Sequence, residues 1–272
     1  MPITFAKAPL IELIAELRWI PQGSTPLGSG APNQAAVTGI FLGGAKQEEF
    51  YNQMGRELFH LGFERSQRLV PMNMPFSLHQ AVYRFQSEGE GQPPVLYQVG
   101  YGLFSVHALP PYHSWAQFLP FVNRGIEILL KNRLEDDRSR PFSQTSLRYI
   151  NFFNKDLVRD RTTASFVADV LKIPTKLPLP ILKIAASNEP KSLFTKVVVP
   201  VGIGDLELNV GDGQFNSQPG ILLDTMISTT NETAAESSAI MRLYNSAYSI
   251  VHSLFFEMTR PIHDLMEPHG EP

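Results

Sequence analysis

The chain has 272 residues, of which 43% are hydrophobic and 18% charged, a composition typical of a globular protein with an ordinary apolar core. Its formal net charge of −3 argues against a surface devoted to nucleic acid, which requires clustered Lys and Arg. The absence of cysteine excludes disulfide bonds, thiolate chemistry and Cys-ligated zinc or iron–sulfur sites.

The N-terminal segment predicts neither a secretory signal nor a membrane helix. Residues 1–5 contain no basic side chain, and the apolar stretch that follows is interrupted by Glu12, Glu16 and Arg18. No stretch of the sequence approaches the roughly 20 uninterrupted apolar residues that a membrane-spanning helix needs. We therefore expect a cytoplasmic protein with no membrane partner.

The first half of the sequence predicts a strand, a helix, three strands and a long helix. Apolar and charged residues alternate over residues 9–20, the period-two pattern of a half-buried strand. The next stretch, 22–44, is rich in Gly, Pro and Ser and predicts a long loop of the kind that is mobile or functional. Further along, the patterns predict a helix at 45–63, strands at 80–86, 95–99 and 103–109, and a helix around 113–134 in which Pro120 predicts a kink or a later start.

The second half predicts the same order of elements after a charged linker at 134–141. A strand at 145–153 precedes a short helix at 163–171, capped by Thr162 or Thr163. Strands are then predicted near 181–186, 193–201, 205–210 and 220–228. Apolar side chains at spacings of three and four predict a final helix around 232–259, ended or bent by Pro261, before a frayed tail at 267–272.

Together the two halves predict an α+β fold built from a duplicated strand–helix–meander–helix unit. The expected architecture is an antiparallel sheet, continuous or paired, with long helices packed on one face. The repeats are predicted at residues 1–138 and 139–272, packed as one globular unit. A sheet covered on one side leaves its other face for water or a partner. We therefore expect function on that face and in the loop at 22–44.

Four short segments follow one another in a recognisable order: APLIELIAELRW at 8–19, LRYIN at 147–151, GILLD at 220–224 and SLFFEMT at 253–259. In this order they resemble an uncharacterised, sporadically distributed bacterial protein family of similar length. The resemblance implies no established activity. Its sporadic distribution implies cargo of mobile elements, such as toxin–antitoxin pairs, immunity proteins and anti-phage defence systems. The Gly-rich insertion after Ile20 and the Phe152-Phe153 pair depart from the family pattern.

Polar side chains on the two strands that open the repeats are the candidate binding residues. They are Glu12, Glu16 and Arg18 on the first strand and Arg148 and Asn151 on the mid-chain strand. Cross-strand pairs such as Glu16 with Arg148 would form if the two strands hold equivalent places. Two interpretations follow: an ion-paired lattice that fixes strand register, or a polar recognition face. On the second interpretation the aromatic anchors are Tyr97, Tyr101 and Phe152, with Tyr112 and Phe153.

Metal and nucleotide sites have weak sequence support. The glycines at 202–213 are followed by neither the Lys-Ser/Thr of a phosphate-binding loop nor an opening helix. Asp205, Glu207 and Asp212 lack the spacing of a calcium loop. The C-terminal residues His263, Asp264, Glu267 and His269 could converge on a metal ion, although a solvated tail is the favoured interpretation.

The sequence therefore predicts a non-enzymatic protein-interaction module with no cofactor and no catalytic or metal-binding residue. Its expected partner is a protein encoded by a neighbouring gene. One alternative is a saddle-shaped nucleic-acid binder that uses its sheet face, which the pI near 6.2 disfavours. The other is a metal-dependent hydrolase or nuclease with dispersed carboxylates such as Glu12 and Asp224.

Overall fold

The structure is a computed structural model that describes residues 4–22, 40–41, 44–87, 94–112 and 114–269. The strands are β1 Thr4–Phe5, β2 Leu10–Arg18, β3 Ile40–Phe41, β4 Arg65–Arg68, β5 Phe76–Ser77, β6 Ala81–Gln86, β7 Val95–Gly100, β8 Leu103–Ala108, β9 Gln144–Phe153, β10 Phe194–Val201, β11 Gly204–Phe215, β12 Gln218–Ser228 and β13 Pro268–His269. The helices are α1 Ala45–Phe59, α2 Trp115–Asn132, α3 Lys155–Val158, α4 Thr163–Asp169, α5 Leu179–Leu182, α6 Ser237–Thr259 and α7 His263–Met266, with 3₁₀ turns at Glu135–Asp137 and Arg260–Ile262. Among the described residues, no helix is long and apolar enough to cross a membrane.

The predicted α+β class and antiparallel sheet are confirmed. Nine strands form one sheet in the order β10-β11-β12-β9-β2-β8-β7-β6-β4. Of the two expected arrangements, continuous or paired, this sheet is therefore the continuous one. The central strands β9 and β2 each neighbour the last strand of the meander that follows them, β12 and β8 respectively. A duplication would give this repeated order, although the duplication itself stays a prediction. The short pairs β1–β13 and β3–β5 form two further sheets.

The chain divides into two compact units, each assembled from separate segments. Unit 1 comprises Met1–Leu13, Arg148–Ile227 and Ser246–Pro272, and unit 2 comprises Ile14–Leu147 and Ser228–Asn245. The elements β2, β9, β12 and α6 therefore contribute residues to both units. The predicted repeats at 1–138 and 139–272 stay a prediction.

In unit 2, the meander β6–β8 packs against α1 and α2. Tyr97 on β7 is fully buried, and its hydroxyl donates a hydrogen bond to the Phe121 carbonyl of α2 at 3.0 Å. Gly125 permits this approach, because a Cβ there would lie 2.6 Å from the Tyr97 ring. Ser114 caps α2 by accepting a hydrogen bond from the Gln117 N–H at 3.3 Å. The apolar stripe predicted on this helix thus lies against the sheet.

In unit 1, the long strand β11 shows the alternation of a half-covered sheet. Leu206, Leu208 and Val210 are buried, the residues between them are half-buried, and α4 packs on this strand. Thr162 caps α4 by accepting a hydrogen bond from the Ser165 N–H at 3.1 Å, which selects one of the two predicted caps. Burial of one face explains why the strands predicted over 193–228 were recognisable.

The strand predicted near 181–186 is wrong. The segment Leu179–Leu182 forms the short helix α5, in which the Leu182 N–H donates to the Pro178 carbonyl at 3.1 Å. Two prolines, Pro178 and Pro180, explain the difference. Each fixes φ near −65°, a value that suits the first helical turn, and neither has an N–H for a strand ladder.

The linker predicted at 134–141 is not solvated throughout. Asp137, within the 3₁₀ turn, is buried. Its carboxylate accepts hydrogen bonds from Trp19 Nε1 at 3.3 Å and from the Gln22 N–H at 2.8 Å. The charge pattern of the linker predicts solvent exposure, but the two hydrogen-bond donors to this carboxylate lie more than a hundred positions away in sequence.

Several predicted boundaries also shift. The helix α2 begins before Pro120 and continues through it, so the predicted later start is wrong. The final helix begins at Ser237 rather than near residue 232. In the tail expected to fray, β13 pairs with β1, while residues 270–272 lie outside the described residues. Most of the predicted loop at 22–44 also lies outside them, apart from its two ends and β3.

His79 determines part of the pH dependence of stability. Its Nε2 lies 3.0 Å from the Trp19 carbonyl. Desolvation lowers the pKa of His79 below its usual 6.5 and nearby Arg18 adds to this, whereas the hydrogen bond to Trp19 and the charge of Glu16 oppose it. The unfolded chain then binds the proton more tightly. The free energy of unfolding therefore falls as the pH decreases through 6.5, and it levels off below the folded pKa.

We expect the variant His79→Asn to lose less stability than the wild type on acidification. Asn cannot titrate, and it tolerates the positive φ of 62° at this position. Urea unfolding at about pH 8 and about pH 5 measures the difference. Some pH dependence of the free energy of unfolding remains in this variant, because burial also lowers the pKa of His252 and His263. The control is His60→Asn, because His60 is exposed. If His79→Asn loses as much stability on acidification as the wild type, His79 does not contribute to the pH dependence.

Candidate interaction surface

One predicted polar residue of unit 1, Arg148, belongs to an ion pair between strands. Arg148 on β9 binds Asp224 on β12 through two hydrogen bonds, Nε to Oδ1 at 2.7 Å and Nη2 to Oδ2 at 2.6 Å. Lys196 on β10 pairs with Glu207 on β11 at 2.8 Å and holds the pKa of Glu207 below its usual range. Glu12 on β2 is half-buried. Charges of both signs are thus matched across these strands, which favours the lattice interpretation over a polar recognition face.

The predicted polar residues of unit 2 are paired within one strand. Glu16 and Arg18 lie two positions apart on β2, and their side chains form an ion pair at 2.6 Å. Strand alternation places both on the sheet face opposite Leu17. Pseudo-symmetry would allow a pairing of Glu16 with Arg148. The structure pairs Glu16 with Arg18, and Arg148 with Asp224.

Among the predicted aromatic anchors, Tyr97, Tyr101, Phe152 and Phe153 are buried, whereas Tyr112 is half-buried. Tyr97 and Tyr101 are buried in unit 2, and Asn151 and Phe152 are buried in unit 1. The Phe152 ring packs against Phe215 with centroids 5.7 Å apart. These residues lie on or next to interior strands, whose side chains are covered on at least one face. They shape the two units rather than presenting rings to a partner.

The described residues include no group of three or more His, Asp or Glu side chains placed to share a metal ion. At the C-terminal end, the His263 ring packs 4.4 Å from the Phe256 ring, and its Nε2 lies 3.0 Å from the Phe256 carbonyl. Glu267 pairs with Lys7. His263 and Glu267 therefore have other contacts, and the hydrolase alternative gains no support from them.

An edge strand is the prominent surface feature of unit 1. Within the described residues, the one neighbour of β10 in the sheet is β11. The Asp212 N–H donates to the Leu193 carbonyl at 3.1 Å, and the antiparallel register continues unbroken along β10. Alternation therefore turns the backbone groups of Phe194, Lys196 and Val198 away from β11. Such outward N–H and C=O groups are a template for a strand from another chain.

The same strand carries exposed apolar side chains. Phe194 is 72% exposed, Val198 51% and Val199 42%. Other exposed apolar side chains of unit 1 lie in α5 and just after it: Leu179, Ile181 and Ile184. Single exposed apolar residues are ordinary, but adjacent ones on an unpaired strand mark an interaction site or an aggregation hazard.

The strand at the other end of the sheet order shows how this chain protects an edge. All four residues of β4, Arg65–Arg68, are polar or charged. The Arg68 guanidinium donates to the Glu48 carboxylate at 2.7 and 2.9 Å. Charged side chains of this kind blunt strand pairing. On β10 the protection is limited to Pro200 near one end and to Lys196, so residues 194–199 form the more accessible edge.

The sequence contained a signal for this edge. The run at 193–201 was predicted as a strand, and Pro200 stands inside it. Proline within a strand pattern indicates an edge strand, because proline has no N–H to donate to a second neighbour. In this run, Pro200 therefore indicates an edge strand or a bulge.

No protein-family model matches the chain, and no curated protein or solved structure is significantly similar to it. The family resemblance of the four short motifs therefore stays a prediction. Function has to be argued from the surface chemistry of this molecule.

Proposed function

We propose that this chain is a non-enzymatic protein-interaction module that binds another protein chain through the edge strand β10. The observation that carries the proposal is the coincidence, on residues 194–199, of outward backbone groups with exposed apolar side chains. Strand addition of this kind gains affinity from main-chain hydrogen bonds and specificity from the side chains.

The proposal includes a cytoplasmic setting, which the N-terminal sequence favours. A partner other than a second copy of the chain would be encoded by a neighbouring gene, as the family resemblance implies. A toxin–antitoxin, immunity or anti-phage defence system is the corresponding biological class. The nucleic-acid alternative has less support, because Arg148 and Lys196 are both neutralised by carboxylates, Asp224 and Glu207.

The test is purification of the tagged chain from its native host together with its genomic neighbours, followed by native mass spectrometry. We expect a stoichiometric protein bound to the wild type, a second copy of the chain included. The variant Phe194→Asp should lose most of it, because a charge on the exposed edge opposes strand pairing. Met72→Asp is the matched control, since Met72 is 70% exposed and belongs to unit 2.

Two outcomes would contradict the proposal. One is a wild-type chain that carries no protein in stoichiometric amount. The other is equal loss of the partner in Phe194→Asp and Met72→Asp. Nucleic acid that co-purifies with the wild type and is released by salt would instead favour the nucleic-acid-binding alternative.

A further inference from the structure

The edge of β10 fits a second copy of this chain. We propose that two copies associate through antiparallel pairing of their β10 strands about a two-fold axis at Val197. This inference rests on the proposed function, because it names the partner of the same edge. A two-fold interface uses the same patch on both copies, and dimers of this symmetry are the commonest assemblies of a single chain.

The apolar face of β10 is incomplete in one copy. Val197 and Val199 stand opposite Leu208 and Leu206 on β11, which are buried. Yet Val199 is 42% exposed and Val197 is half-buried. A second β10 alongside would extend this apolar face and set Val197 against its symmetry mate. Pairs of β-branched residues are favourable at such cross-strand positions.

Charge excludes the register centred on Lys196, and backbone pairing fits the one centred on Val197. With the axis at Lys196, two lysines would lie directly opposite each other, which is destabilising. With the axis at Val197, Lys196 of each copy lies opposite Val198 of the other, and both residues turn their N–H and C=O groups toward the second copy. Phe194 then donates to the carbonyl of Pro200. Because Pro200 has no N–H, the Phe194 carbonyl has no donor opposite it in the second copy. The hydrogen bonds within each copy are unchanged.

The composition of the edge also favours self-association over capture of a charged peptide. The one charged side chain of β10 is Lys196, and Glu207 of the neighbouring strand already pairs with it. Selectivity then comes from pairs of β-branched residues, because Val197 lies opposite its own copy and Thr195 lies opposite Val199. An eight-residue strand covers less surface than a standard interface, so we expect reversible association in the micromolar range.

The test is sedimentation velocity of the full chain over a concentration series. The wild-type mass should rise from 30.4 kDa toward twice that value. Val198→Pro removes an outward N–H from each copy and leaves the ladder with β11 intact, so the dimer should weaken about tenfold or more. Ser66→Pro is the matched control. The Leu69 N–H donates to the Val82 carbonyl, so alternation makes Ser66 an outward position of β4.

Two charged variants report the register. Val198→Glu would face Lys196 of the second copy and should retain or tighten the dimer. Val198→Lys would set two lysines opposite each other and should weaken it. Within one copy the order of effects is opposite, because Val198 stands opposite Glu207 on β11. A monomer-stability effect therefore cannot imitate the expected pattern.

The outcomes separate the two proposals. A folded wild type that stays monomeric at every concentration overturns the second-copy proposal. If such a monomer still binds a host protein and loses it in Val198→Pro, the proposed interaction function stands. If it binds no protein at all, both proposals fail. A dimer that Val198→Pro and Ser66→Pro weaken equally, or that Val198→Glu and Val198→Lys affect alike, overturns the assigned edge or register.

Discussion

Replacing Arg133 by alanine is expected to lower the free energy of unfolding by about 3–5 kcal/mol. Arg133 ends α2 and is only 1% exposed. Its guanidinium lies 5.0 Å from the Trp19 ring centre and 4.5 Å from that of Phe142, and Nη1 donates to the Arg140 carbonyl at 2.8 Å. Alanine would remove both ring contacts, leave a cavity and leave that carbonyl without this donor.

A methionine at the same position separates packing from charge. Desolvation lowers the pKa of Arg133 to about 10, and the charge of Asp137 opposes this, so the side chain is a cation at neutral pH. Arg133→Met keeps most of the volume and removes the charge. Replacing a buried ion by a well-packed apolar side chain is often nearly neutral, so we expect a loss below about 2 kcal/mol. Asp137 keeps its donors from Trp19 and Gln22.

Urea unfolding followed by tryptophan fluorescence measures both variants. Arg56→Ala is the control, because Arg56 pairs with Glu49 on the surface and its loss should change stability by about 0.5 kcal/mol or less. Equal losses in Arg133→Ala and Arg133→Met would mean that the charge dominates. A loss below about 1 kcal/mol in Arg133→Ala would contradict the role given to this cluster.

The elements that the sequence predicted well are those with one buried face and a regular period. β2 combines period-two alternation with a following proline, Pro21, and α2 carries an apolar stripe and a Ser114 cap. Both signals come from residues close in sequence, so the local pattern was sufficient. The α+β class followed from the order of such elements.

The features that the sequence did not reveal depend on distant partners. Trp19 and Asp137 are 118 positions apart, and nothing local distinguishes Asp137 from the solvated acid beside it. The short strands β1 and β13 have two residues each and pair across nearly the whole chain. Elements this short are too brief to show a hydrophobic periodicity. The exposed helix α5 has no buried face, so its sequence shows no apolar stripe.

The candidate site illustrates the same limit. Arg148 was recognised as a charged strand residue, but strand order decides that its carboxylate partner is Asp224. Tyrosine is common at interfaces, so the sequence predicts an accessible Tyr97 ring, whereas its place on an interior strand buries it beneath α2. The exposed edge of β10 depends on the same strand order. Residue type suggested candidates, and topology determined which are accessible.

Substituting alanine for Gly102 is expected to cost about 2–5 kcal/mol of stability. Gly102 has φ of 71°, a conformation that costs an L-residue roughly 1–2 kcal/mol. A Cβ there would also lie 2.3 Å from the Trp19 carbonyl oxygen, and overpacking of this kind adds about 1–3 kcal/mol. The Trp19 N–H donates to the Gly102 carbonyl at 3.0 Å, and the Trp19 carbonyl is the partner of His79. Any shift that relieves the clash therefore disturbs both hydrogen bonds.

Gly62→Ala is the matched control, because Gly62 also has positive φ, 88°, but a Cβ there would meet no atom within 4 Å. It should cost only the roughly 1–2 kcal/mol of the left-handed backbone. Urea unfolding of both variants then isolates the contribution of the Trp19 contact as their difference. Equal losses would mean that the backbone near Trp19 adapts freely. A larger loss in Gly102→Ala, with reduced pH dependence as the His79 contact loosens, would show that β2, β8 and His79 form one stabilising cluster.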